Sequence, residues 1–250
     1  MTRKALIISN PGEKGDENYC EGVNIDMANY KQFLTSPLGG LWLNTEITHL
    51  DRPKTNDVIK EITSLANIDY TCFVFSGHGY FSSKLDATVL ELRKGEEISS
   101  LELRANANKR VVILDCCRKV VKEAILEKAF AAKAARVIPH LSPDECRKYF
   151  DVQIAKCSKG VVIGYACKRD EVAGDSQSRG GYYSYGILEA AINWHDNTTN
   201  IDLEKSFYAF SIVKAHEEAI VRVRQLSGGT QNPEIEKPRS EPYFPLAIIA

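Results

Sequence analysis

Short apolar runs alternate along the chain with stretches whose apolar residues recur every three to four positions. The runs KALIIS (4–9), NTEITHL (44–50), YTCFVFS (70–76), RVVILD (110–115) and GVVIGYA (160–166) are rich in β-branched and aromatic residues and predict strands. Residues 22–35, 55–66, 182–194 and 202–226 carry the helical period, with Thr55 and Asp202 as N-caps. Strands separated by helices build a parallel sheet, and strands without a polar face need cover on both sides. The expected fold is α/β, a mostly parallel central sheet with helices on both faces.

Two segments leave that rhythm. Residues 83–104 read as a short hairpin with a polar turn at Lys94-Gly95, followed by a helix start at Ser99 or Ser100. Residues 119–159, rich in Ala, Lys and Glu, predict a helical linker: one helix over 119–135 and a second opened by Ser142-Pro143. The polar, Gly-containing stretches 168–181 and 227–242 predict loops of the kind that form sites. There is no internal repeat, so a single domain over 1–250 is expected.

Composition narrows the function classes. Of 250 residues 44% are hydrophobic and 26% charged, and 32 Lys and Arg against 33 Asp and Glu leave a net charge of -1. That balance predicts no nucleic-acid partner. The apolar stretch ALII is too short for a signal-peptide core, and no run approaches the ~20 apolar residues that cross a bilayer. A cytoplasmic protein with no membrane partner is expected, while its oligomeric state stays open. The seven cysteines, at 20, 72, 116, 117, 146, 157 and 167, form no C-x-x-C pair and suit neither a disulfide framework nor a zinc knuckle. Cys72 and Cys167, inside apolar runs, are expected to be buried packing residues.

Chemistry concentrates at two strand ends. CFVFS runs into Gly77-His78-Gly79, and VVIL runs into Asp115-Cys116-Cys117-Arg118. In a parallel sheet such ends open on one edge, so His78 can meet a cysteine of the 116–117 pair although 39 residues separate it from Cys117. A thiolate is a nucleophile, and an imidazole beside it can take its proton and later protonate a leaving amine.

These residues resemble the caspases and metacaspases. LDCCR is similar to the caspase signature Q-A-C-[RQG]-G, and closer to the metacaspase D-S-C-H, which identifies Cys117 as the implied nucleophile. VFSGHG resembles the family's histidine strand, GVNIDMANYKQFL its early helix, GYACKRDEVAGDSQSRGGYYSYGILEA its fifth strand and following helix, and GGTQNPEI its Q-x-P stretch. The spacing of 39, shorter than the ~50 of caspases, the lack of glycine after Arg118 and the helical 119–159 depart from the pattern.

The resemblance implies a caspase-like sandwich, with 1–118 similar to a large subunit, 119–159 a linker and 160–250 similar to a small subunit. It implies a cysteine endopeptidase with a Cys117–His78 dyad and backbone N–H groups of Gly79 and Cys117 as the oxyanion site. Matching the metacaspase pocket, it places Asp26, Ser76 and Asp115 around a basic P1 residue, so the expected partner is a protein or peptide cut after Arg or Lys. No cofactor or metal is required; calcium activation, known in some metacaspases, would draw on Asp170, Glu171 and Asp175. Two other readings remain: a catalytically silent caspase-like scaffold that binds peptides, and a redox or metal protein using Cys116, Cys117 and His78.

Overall fold

In β1 (Arg3–Asn10), Ala5 and Ile7 face one side of the sheet and Leu6 and Ile8 the other. The same division separates Cys72 and Val74 from Phe73 and Phe75 in β3 (Tyr70–Gly77). It separates Val111 and Ile113 from Val112 and Leu114 in β7 (Lys109–Asp115). All of these side chains are buried, so the sheet is the middle of three layers. The computed structural model describes residues 1–105, 108–118, 142–198 and 208–249.

With β2 (Ile47–Asp51), β8 (Gly160–Tyr165) and β12 (Glu234–Glu236), the sheet has the order β2-β1-β3-β7-β8-β12, while the two-residue strands β9 (Asp175–Ser176) and β10 (Gly180–Gly181) pair with each other apart from it. Five strands are parallel, and β12 closes one edge antiparallel to β8. One face packs against α1 (Gly22–Thr35), α3 (Pro143–Lys156), α4 (Tyr182–Asn197) and α5 (Ile212–Leu226), together with the pair β11 (Ala209–Ser211) and β13 (Pro245–Ile248). The other face is covered by α2 (Thr55–Ser64) and a three-stranded antiparallel sheet of β4 (Gly79–Ser82), β5 (Ala87–Arg93) and β6 (Glu96–Ser99). Helices thus lie on both faces, as expected. No described helix is long and apolar enough to cross a membrane.

Several local expectations are corrected. The strand read from residue 44 starts at Ile47, behind a 3₁₀ turn over Asn44–Glu46. The hairpin around Lys94-Gly95 is present, but β4 joins it as a third strand, and the helix start at Ser99 or Ser100 is replaced by a 3₁₀ turn at Glu102–Arg104. Thr55 is the first helical residue of α2, not its cap; extended Lys54 holds the cap position, and Thr55 Oγ1 donates to Glu97 O. The last long helix starts at Ile212, where the Ser211 hydroxyl accepts the Lys214 N–H at 3.2 Å. Residues 209–211 are held in β11 by pairing with β13, which a local period cannot reveal. Asp202 lies outside the described residues, as does 119–141.

The second linker helix is α3, opened by Ser142 and Pro143 as expected. Its Cys146, Phe150 and Ile154 join the core, and Arg147 forms a two-pronged ion pair with Glu46. This part of the expected linker is therefore a packed helix.

Because Ser211 carries the only side-chain N-cap bond of α5, Ser211→Ala should destabilise the protein by about 1 kcal/mol. Urea denaturation measures this. An unchanged midpoint would contradict a helix start at 212.

Candidate active site

The pairing of β3 with β7 builds the site. The strands are in parallel register from Tyr70↔Lys109 to Ser76↔Asp115, a constant offset of 39 residues. Ser76 and Asp115 are therefore neighbours across the sheet, and His78 and Cys117 each lie two residues beyond that rung. The separation read in the sequence is the register itself. Ser76 shares the face of Cys72 and Val74, toward α1, and Asp26 of α1 comes down on it. The Ser76 hydroxyl donates to Asp26 Oδ2 at 2.5 Å.

Asp26 and Asp115 are 1% and 5% exposed, a burial that carboxylates tolerate only with strong donors. The donors come from the start of α4. The Gly181 N–H donates to both oxygens of Asp26, at 3.0 and 3.1 Å, and the Ser184 N–H donates to Asp115 Oδ2 at 2.7 Å. A helix N-terminus supplies free N–H groups and a positive dipole end. Only glycine fits between: Gly180 has a φ of 88°, and a Cβ there would overlap Asp26 Oδ1, while one on Gly181 would overlap Asp115 Oδ2. Burial nevertheless wins. It lifts Asp26 well above the usual carboxylate range, with Asp115 repelling it, and lifts Asp115 to about 6.

His78 is half-buried. Among the described residues its Nε2 has no hydrogen-bond partner; it is enclosed and faces Gly12, where a Cβ would stand 3.0 Å away. Gly12 has a φ of 87°, so the loop after β1 passes the imidazole by bare backbone. The His78 carbonyl accepts the Glu91 N–H, which ties the histidine turn to β5. Cys117 is half-buried, and its Sγ lies 3.6 Å from Ala173 O. Burial, reinforced by Asp115 and Asp175, raises the Cys117 pKa above that of an ordinary thiol, so the resting thiol holds its proton at neutral pH. Cys116 is turned the other way, fully buried among Phe75, Leu90 and Leu114 and against Gly79.

Residues 2–244 match the family model of the caspase domain, Peptidase C14. The chain belongs to the caspase-domain family. No curated protein matches it significantly. The fold is the caspase-like α/β sandwich, and the family's chemistry is cysteine peptidase hydrolysis.

This caspase domain gathers groups that the sequence left without a role. Asp175, which the sequence offered only as a calcium ligand, accepts the Gly22 N–H at the start of α1 at 3.1 Å and is close enough to His78 and Cys117 to interact electrostatically with both. Burial raises its pKa, and His78 opposes that rise. Cys20 closes the same corner, its thiol pushed up to about 12 by burial, with Asp175 and Cys117 adding to it. The pair Gly180-Gly181 ahead of a helix was the one available signal of close backbone approach; nothing local marks Gly12 or Cys20. Asp170, Glu171 and Asp175 do not converge on one point: Asp170 is exposed, and Glu171 accepts from the Asn232 backbone and side chain. Among the described residues no group of three or more His, Cys, Asp or Glu is placed to hold a metal.

The raised carboxyl has a stability consequence. Asp115 binds its proton more tightly folded (about 6) than an unfolded aspartate near 3.9, so its contribution is complete below about pH 4 and is lost as pH rises through 6. Asp115→Asn keeps an acceptor for Ser184 and removes that titration. Relative to wild type, the variant should gain on the order of 3 kcal/mol between pH 4 and pH 8, read from urea midpoints at both pH values. A wild-type-to-variant difference that stays constant with pH would refute the raised pKa.

Proposed function

We propose that this caspase-domain peptidase is an endopeptidase with a Cys117–His78 dyad that cleaves after arginine or lysine. The observation that carries the reading is the convergence of Asp26, Ser76 and Asp115 into one buried cluster two residues below His78 and Cys117 on the paired strands. Two carboxylates in a desolvated pocket hold a guanidinium or ammonium by charge-assisted hydrogen bonds and repel an acidic side chain. Asp175 adds negative charge beside them.

In the first half-reaction His78, through Nδ1, takes the proton from Cys117 Sγ as the sulfur bonds to the scissile carbonyl carbon. The N–H groups of Gly79 and Cys117 receive the oxyanion. The C–N bond then breaks, and the imidazolium returns the proton to the leaving amine. In the second, His78 activates water, which displaces the thiol and releases the carboxylate product. The raised thiol pKa fits this order, since the base acts during attack and no thiolate is stored beforehand.

Matched fluorogenic peptides ending in Arg, Lys and Asp test the proposal. Arg and Lys peptides should be cleaved and the Asp peptide not, and Cys117→Ala should abolish turnover while Cys116→Ala retains it. Asp26→Ala should lower kcat/KM on the Arg peptide by about 30-fold to a few thousand-fold, the equivalent of losing one partner of a buried ion pair. Faster turnover of the Asp peptide would sink the pocket assignment; a wild-type chain inert toward all three would favour a peptide-binding scaffold.

A basic substrate needs its carboxylates ionised, so kcat/KM on the Arg peptide should fall as pH drops below about 6, the pKa to which burial lifts Asp115. In Asp115→Asn that acid limb should shift or vanish. An identical limb in both proteins would assign it to another group.

A further inference from the structure

Gln231, far from the dyad in sequence, is 1% exposed, and both ends of its amide are used. Its Nε2 donates to Ala166 O at 3.0 Å, and its Oε1 accepts the Gly174 N–H at 2.9 Å. These are the two ends of the loop that leaves β8 and passes the nucleophile. Between them the loop has one further hold from the same segment, the two donations of Asn232 to Glu171. Arg118, next to the nucleophile, pairs with the loop through Arg118 N–H to Glu171 O and Asp170 N–H to Arg118 O. At Ala173, one residue before the point where Gln231 holds Gly174, the carbonyl oxygen lies 3.6 Å from Cys117 Sγ.

We propose that Gln231 is a positioning residue: as a strut between Ala166 and Gly174 it sets where the 167–174 loop lies against Cys117 and against the peptide substrate. This rests on the endopeptidase reading above. The physical reason is the length of the strut. One planar amide spans both loop ends, so the loop has a fixed base and its middle is placed to within the tolerance of two hydrogen bonds. Without the amide, Gly174 keeps the bond of its carbonyl to the Tyr182 N–H, and Ala173 keeps its packing against the core but loses the hydrogen-bonded anchor one residue away that fixes its carbonyl against the sulfur. A shift of about 1 Å at such a position is enough to cost 10²-fold in rate.

Three variants test the role: Gln231→Met, which has similar length and neither bond; Gln231→Glu, which keeps the acceptor for Gly174; and Val223→Ala, a cavity on the core face of α5 that leaves both Gln231 bonds in place. Each is measured for KM and kcat on the Arg peptide and for the pH midpoint of Cys117 alkylation by iodoacetamide, read by peptide mapping. Gln231→Met should raise KM about tenfold or more and displace the alkylation midpoint, Gln231→Glu should recover part of both, and Val223→Ala should lower the urea midpoint without moving either. Wild-type KM and alkylation midpoint in folded Gln231→Met, or the same displacements in Val223→Ala, would overturn the proposal. If Gln231→Met does not fold, Gln231→Leu, which also lacks both bonds, takes its place, and wild-type values in both measurements overturn the proposal equally. A wild-type chain without turnover would remove the endopeptidase reading, and alkylation of Cys117 would still decide the role of Gln231.

Discussion

Everything at the site descends from the parallel hydrogen-bonded register of β3 on β7. A parallel ladder admits only shifts that keep each side chain on its own face, because a one-residue slip would turn Val74 and Ile113 toward the wrong layer. With two buried layers to satisfy, that slip is prohibitive. The register places Ser76 beside Asp115, and the residues just beyond each strand inherit the alignment. His78 and Cys117 leave adjacent strands at the same height, and Cys116, one residue earlier, is directed into the core with Phe75 and Leu90.

The second organising element is the N-terminus of α4. Two carboxylates cannot be sunk beneath a sheet edge without compensation, and Gly181 and Ser184 N–H groups provide it. The compensation is partial, since burial still raises both pKa values, with Asp115 repelling Asp26 and Asp175 repelling Asp115. The result is a cluster that folding tolerates and that a cationic ligand would relieve. Asp26 binds α1 to β3 and α4, and Asp115 binds β7 to α4, so the proposed specificity pocket is also the junction between the two halves of the chain.

How much was legible depends on range. The five parallel strands, α1, α2, α3 and α4 were readable because their signals are local: a short β-branched run, a 3.6-residue period, a Ser-Pro start. Errors fell where a non-local partner overrides a local preference. Residues 209–211 continue a helical period yet pair with β13, and Ser99 ends a strand because β5 is beside it. The conjunction of S-G-H-G and D-C-C-R at strand ends made the site visible, because in a parallel sheet all such ends share one edge.

By itself, the sequence determined the layered α/β architecture and singled out Cys117 and His78 as the candidates for nucleophile and proton chemistry, since side-chain type and strand alternation are properties of short segments. Asp26 with Ser76 and Asp115 was readable only as a likeness to a family pattern. Their actual contact, and the burial that raises their pKa values, required the docking of α1 and α4 onto the sheet. The same holds for Asp175, Gly12 and Gln231. Asp175 and Gln231 hydrogen-bond at sequence separations of 153 and 57 residues, while Gly12 meets His78 from across the β1–β3 pairing. Such contacts are set by how whole elements pack, and no local pattern of residues encodes a distance between elements.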